Sequence, residues 1–106
     1  MVPAELSGYL FIPQAEDDLE AIWRYTASIW SPNQADLYID TLIQTIETLV
    51  AMPKLARERT EFAPPVRIHT AAEHLIIYRI DDDWLSVIRI MGGCQNWRAL
   101  LEVIDA

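Results

Sequence analysis

Hydrophobic residues near the start of the chain recur at helical spacing and predict a first helix. Pro13 suits the first turn of a helix, and acidic residues follow it where the positive end of the helix dipole favours them. The first helix is therefore expected over residues 13–30. Its apolar stripe consists of Leu19, Ile22, Trp23, Thr26, Ile29 and Trp30.

A second helix is predicted directly after the first. Ser31 is a good N-cap, Pro32 follows it at the first turn, and Pro53 cannot continue the helix, so the helix should end near Met52. Two helices joined by so short a link form a helical hairpin. The stripe of this helix, which must be buried against later strands, is Ala35, Tyr38, Ile39, Leu42, Ile46, Leu49 and Val50.

The second half of the chain has short apolar runs that predict strands. These cover residues 66–70, 74–80 and 84–91, and a first strand precedes the helices at residues 9–12. Asp81, Asp82 and Asp83 suit a turn between the last two strands. A short terminal helix is expected over residues 97–104, after the Gly92-Gly93 break.

Two arginines interrupt the last two apolar strands. If that hairpin turns about Asp82, residues 79, 77 and 75 lie opposite 85, 87 and 89. Arg79 and Arg89 then share a face with Leu75, Ile77, Leu85 and Val87. The opposite face is expected to pack on the helices and carries Ile76, Tyr78, Ile80, Trp84, Ile88 and Ile90.

The arginine face is predicted to receive a partner segment, because it combines charge with apolar area. Trp97 and Arg98 join this candidate surface, since both are residue types common at interface hot spots. Lys54, Arg57 and Arg59 form a local basic loop. The alternative is that both strand arginines pair with local acids at a sheet edge.

Composition predicts one domain over residues 1–106, with a modest core. No apolar run approaches the roughly 20 residues of a membrane span, and a single cysteine suits the cytoplasm. The net charge of −8 resides mainly in residues 1–53, which hold one basic and eight acidic side chains. Direct nucleic-acid binding, to which phosphate contacts contribute most, is therefore not expected.

The residues suggest no catalytic site, metal site or cofactor. His69 and His74 lie on separate predicted strands without a third ligand type, Cys94 has no histidine near it in sequence, and Gly92-Gly93 is too short for a phosphate loop. The acids at residues 16–20 are best explained as a solvated helix start.

Several motifs, in one order along the chain, resemble the ParE branch of the ParE/RelE toxin family, also described as plasmid stabilisation proteins. They run from Tyr9 to Leu101 and read Pro13-Gln-Ala-Glu-Asp-Asp-Leu19, Ile22-Trp-Arg-Tyr25, Trp30, Gln34-Ala-Asp-Leu-Tyr38, Pro53-Lys-Leu55, His74-Leu-Ile-Ile-Tyr-Arg79, Ile88-Arg-Ile90 and Gln95-Asn-Trp97.

The resemblance implies an α+β fold, with an N-terminal strand, a helical hairpin on a small antiparallel sheet and a short C-terminal helix. It also implies a toxin of a type II toxin-antitoxin system that inhibits DNA gyrase by binding. A ParD-like antitoxin would neutralise it in a hetero-oligomer.

Two alternatives remain. Related RelE members cut messenger RNA on the ribosome, although after Arg89 this chain offers only Arg98 as a cation. A degenerate toxin that only binds its antitoxin is the other. Gly92-Gly93-Cys94 stands where many relatives have His-Gly-Arg, and the chain is acidic where relatives are usually basic.

Overall fold

The computed structural model describes residues 6–93, and its two helices match the predicted hairpin. Helix α1 spans Pro13–Ile29 and helix α2 spans Pro32–Ala51. The Ser31 hydroxyl accepts a hydrogen bond from the Gln34 backbone N–H at 3.0 Å, which is the expected N-cap. Within residues 6–93, neither α1 nor α2 has the length and hydrophobicity that a membrane-spanning helix needs.

Five strands form one sheet in the order β1-β5-β4-β3-β2. They are β1 (Gly8–Phe11), β2 (Glu58–Arg59), β3 (Val66–Ala71), β4 (His74–Asp81) and β5 (Trp84–Gly92). Neighbouring strands are antiparallel except β1, which pairs with β5 in parallel. The sheet is therefore mixed, whereas an antiparallel sheet was predicted. Parallel strands need a long connection, and the chain between β1 and β5 supplies one because it contains both helices and three other strands.

The main core lies between the helices and one face of the sheet. Its side chains come from both helices, from the segment after α2 and from the three central strands of the sheet, and most have no exposed surface. Members of this cluster include Ala15, Leu42, Ile46, Leu49, Ile76, Tyr78, Leu85, Val87 and Ile90. Burial of α2 along this stripe confirms the predicted packing of helix on sheet.

The predicted register of the last hairpin was wrong by one residue. Asp81 pairs with Trp84, so the turn consists of Asp82 and Asp83, and Arg79 lies opposite Ser86. Leu85 and Val87 consequently face the helices, whereas Trp84 and Ile88, which were expected there, do not. A one-residue slip moves every side chain of a strand to the other face.

A β-bulge then changes the register again. Tyr78 pairs with Val87, but the preceding residue of β4, Ile77, pairs with Arg89. Strand β5 therefore has one extra residue, Ile88, at this point. This extra residue returns Ile90 to the helix side, as predicted. Ile88 instead joins a second apolar cluster with Phe62, Val66, Ile77 and Met91.

Trp84 lies on the face away from the helices, beside Gly8. The two residues are register partners, and a Cβ at position 8 would lie 2.9 Å from Cζ3 of the Trp84 ring. Glycine therefore gives the indole room against β1. Trp84 is 45% exposed, so it is not the core residue that the alternation predicted.

The closed end of the helical hairpin is more exposed than its hydrophobic stripe predicted. Ile29 and Trp30 extend the stripe in sequence, but both are exposed, Trp30 by 75%. Periodicity assigns a residue to a helix face without showing whether the sheet extends beneath it.

Candidate interaction surfaces

Arg89 forms an ion pair with Asp18 of α1. Its Nε and Nη2 donate to the two carboxylate oxygens at 2.7 and 3.0 Å, a bidentate arrangement between two largely buried side chains. Asp18 also accepts the Ile90 backbone N–H at 2.9 Å. Strand β1 ends at Phe11, opposite Val87, so it does not extend to Ile90. The Asp18 carboxylate therefore accepts a backbone N–H of β5 that β1 does not reach. Arg89 therefore has a structural partner.

Arg79 is paired much less closely. Its Nε is 3.9 Å from Asp81 Oδ2, is buried, and makes no hydrogen bond. The side chain lines a cavity of about 250 Å³, whose other lining residues include Arg67, Pro64 and Pro65. Arg89 lines a different cavity of about 400 Å³ beside α1. The two arginines therefore do not form one shared patch.

The predicted partner face is largely absent from the surface. Ile77, Leu85 and Val87 are 0% exposed, and Leu85 and Val87 belong to the core beneath the helices. Leu75 is partly exposed on β4. The predicted contact residues Trp97 and Arg98, together with the predicted terminal helix and Cys94, lie outside the described residues.

The basic segment at residues 54–59 is not all loop. Lys54 and Arg57 are exposed, but Glu58 and Arg59 form β2 and pair with Arg67 and Val66. Arg59 is also ion-paired to Glu61 at 3.0 Å. Sequence reasoning missed this strand because two residues are too few for a periodicity signal.

An apolar cavity opens at the end of α2. Its volume is about 510 Å³, and it is lined by Leu6, Ala51, Met52, Pro53, Lys54, Leu55 and Ile80. Met52 and Leu55 are each 52% exposed. The sequence offered one signal for this cavity, two large apolar residues flanking Pro53 and Lys54 where a solvated helix end would be polar.

His74 lies in the cleft beside α1 and is hydrogen-bonded to Tyr38. The Tyr38 hydroxyl is 2.6 Å from His74 Nδ1 and accepts the Glu73 backbone N–H at 3.1 Å. Burial lowers the pKa of His74 below its ordinary value of 6.5, partly opposed by the charges of Glu73 and Asp18. If neutral His74 accepts the Tyr38 O–H at Nδ1, then the imidazole nitrogen, the Tyr38 hydroxyl and the Glu73 backbone N–H each have a hydrogen-bond partner.

This cleft has few of the features that acid–base chemistry on an anion requires. Asp18 neutralises Arg89, and Glu73 adds another carboxylate. In the part of the chain that the structure describes, no three His, Cys, Asp or Glu side chains are grouped as metal ligands.

Comparison with known proteins decides the family. The family model described as the ParE toxin of the type II toxin-antitoxin system, parDE, matches residues 9–97. The chain belongs to the ParE toxin family. Toxin ParE1 of Mycobacterium tuberculosis is 33% identical over 86 residues, which cover 80% of this chain and 88% of that toxin. Toxin ParE1 of Caulobacter vibrioides is 28% identical, covering 91% of this chain and 99% of that protein.

A solved structure shares the ParE fold described above. A chain of the chromosomal ParDE toxin-antitoxin system from P. aeruginosa superposes with a TM-score of 0.71, covering 84% of this chain and 97% of that chain. Sequence identity is 19%, so this likeness shows the fold alone. It confirms the predicted α+β fold of a helical hairpin on a sheet.

Proposed function

We propose that this ParE-family chain inhibits DNA gyrase and that a ParD-like antitoxin neutralises it. The observation that carries the proposal is the family match over residues 9–97, which spans nearly every described element. The family is described as the toxin of the type II toxin-antitoxin system parDE, which supports a toxin that works with an antitoxin. In this proposal Leu75, Arg79, Trp97 and Arg98 remain contact residues, whereas the buried Ile77, Leu85, Val87 and ion-paired Arg89 do not.

We further propose that the chain acts by binding rather than by catalysis. Ribonuclease chemistry needs free cations to stabilise the phosphorane and a suitably placed acid and base. The cleft beside α1, which holds His74, combines an Arg89 neutralised by Asp18 with a histidine beside Glu73. These features support binding over RNA cleavage.

Induced expression of the chain alone tests the proposal. Gyrase inhibition should arrest growth, induce the DNA-damage response and leave transcripts intact, and purified chain should inhibit supercoiling by gyrase in vitro. Co-expression with the antitoxin should restore growth. The matched control is the same vector with an early stop codon.

Other outcomes assign other functions. Growth arrest with fragmented transcripts and uninhibited gyrase would contradict the proposal in favour of a ribonuclease. Normal growth from folded, well-expressed protein that still binds antitoxin would indicate a degenerate toxin. The second candidate function is a degenerate toxin. Two features that are unusual for the family favour it, namely the Gly92-Gly93-Cys94 segment and the net charge of −8.

A further inference from the structure

Two cavities at one end of the sheet share Ile80 as a common wall. The larger is the apolar cavity at the end of α2, of about 510 Å³, and the smaller is the polar cavity that Arg79 lines, of about 250 Å³. Ile80 precedes the Asp81 end of β4. The two cavities together are here called the Ile80 groove.

Two hydrogen bonds fix the chain segment that forms one side of this groove. The buried Tyr78 hydroxyl donates to the Pro53 carbonyl at 2.8 Å, and Arg67 Nη1 donates to the Ala56 carbonyl at 2.7 Å. Both donors lie on central strands of the sheet. The segment between α2 and β2 is therefore held in place before any partner arrives, which lowers the entropy lost on binding.

The Ile80 groove differs in charge from the rest of the molecule. Lys54, Arg67 and Arg79 line it against Glu58 and Asp81, so basic side chains are in the majority. Residues 13–51, which form the helical hairpin, hold one basic and seven acidic side chains. An acidic partner would be repelled by the hairpin and attracted to the groove.

Arg79 supplies the specific contact for an incoming carboxylate. Its buried Nε has no hydrogen-bond partner, and Asp81, at 3.9 Å and more than half exposed, lies beyond hydrogen-bond distance. Met52 and Leu55 supply exposed apolar surface beside Lys54. Apolar and cationic features therefore adjoin across Ile80.

We propose that the Ile80 groove binds an acidic amphipathic segment of the antitoxin. An apolar side chain of that segment fills the larger cavity, and a carboxylate pairs with Arg79 in the smaller one. The inference rests on the proposed function, since it specifies where and by what chemistry the antitoxin binds.

The test is calorimetric titration of the full-length antitoxin into the full-length chain and its variants. Arg79→Glu should weaken binding by about tenfold or more, because it replaces the attractive charge with a repulsive one. Arg24→Glu is the matched control. It makes the same change in net charge at an exposed residue of α1 and should change affinity by less than about twofold.

A second pair of variants tests the apolar half of the groove. Leu55→Asp should weaken binding by about tenfold, since it places a charge in the cavity that an apolar side chain fills. Leu37→Asp is the control, because Leu37 is comparably exposed but lies on α2 outside the groove. Circular dichroism shows whether each variant is folded, and Arg79→Lys replaces Arg79→Glu if the latter is not.

The outcomes separate the two proposals. If the wild-type chain does not bind the antitoxin, the proposed partner is wrong and the groove proposal fails with it. If the wild-type chain binds but either groove variant behaves like its control, only the groove proposal is overturned. Loss of affinity in both groove variants, with both controls retained, supports it.

Discussion

His74 is a titratable side chain that the fold prefers in its neutral form. Burial is the main cause of its lowered pKa, and the hydrogen bond from Tyr38 to Nδ1 suits a neutral ring. Above the ordinary pKa of 6.5 the ring is neutral in both the folded and the unfolded chain. As the pH falls below that value, the unfolded chain takes up a proton that the folded chain resists, so stability decreases until the folded pKa is also passed.

We therefore expect His74→Gln to reduce the acid sensitivity of the fold. The free energy of unfolding should decrease less between about pH 7.5 and about pH 5.5 in the variant than in the wild type. Urea denaturation at the two pH values measures the difference. NMR titration of the His74 ring provides the direct check, and a folded pKa at or above 6.5 would contradict the explanation.

The strand arginines show how far single residues could be interpreted from the sequence. An arginine within an apolar strand requires a partner, and this correctly drew attention to both positions. The partner of Arg89 is Asp18, 71 positions away on α1. No local pattern could select Asp18 from the acids at residues 16–20, because the choice depends on where β1 ends beside β5.

At the scale of elements, periodicity predicted both helices and the last three strands to within about a residue at most ends, as expected for strongly patterned segments. Periodicity did not predict the pairing of β4 with β5, because a run of three aspartates allows the turn to be centred at more than one position. The bulge beyond Ile77 was also absent from the pattern. These two details decided which residues of β5 reached the core, so Leu85 and Val87, predicted for the partner face, are buried beneath the helices.

The turn between β3 and β4 contains a strained residue. Ala72 has a φ of 54°, in the left-handed region, where a side chain costs roughly 1–2 kcal/mol. Ala72→Gly should therefore raise the free energy of unfolding by about 0.5–1 kcal/mol, after the greater flexibility of glycine in the unfolded chain is counted. Urea denaturation measures the change.

Ala21→Gly is the matched control for that variant. Ala21 is also exposed but lies within α1, where glycine should lower stability by about 1 kcal/mol. Opposite signs for the two variants would attribute the effect to backbone conformation. A loss of stability in Ala72→Gly would show that the turn gains nothing from glycine.

At the scale of the molecule, the family resemblance predicted a helical hairpin on a sheet but not the parallel pairing of β1 with β5. It could not predict the Ile80 groove, because that surface combines the end of α2, the start of β3 and the end of β4. These segments are distant in sequence and meet only in the folded chain. Charge counting placed most of the net negative charge in residues 1–53, and the basic residues of the groove, Lys54, Arg67 and Arg79, all lie beyond that segment.

Tyr78 connects the core to the Ile80 groove and allows their coupling to be tested. Its ring is fully buried under the helices, while its hydroxyl donates to Pro53 beside the groove. Tyr78→Phe keeps the ring but leaves that carbonyl without its partner, so it should lower the free energy of unfolding by about 1–2 kcal/mol. Because the segment between α2 and β2 is then less firmly held, antitoxin affinity should fall as well.

Denaturation and calorimetry of the same variant measure both effects. Tyr9→Phe is the control, since Tyr9 packs on the same core from β1 and does not line the groove. It should leave antitoxin affinity unchanged. A Tyr78→Phe chain that is less stable but binds the antitoxin with wild-type affinity would show that the hydrogen bond supports the fold without shaping the groove.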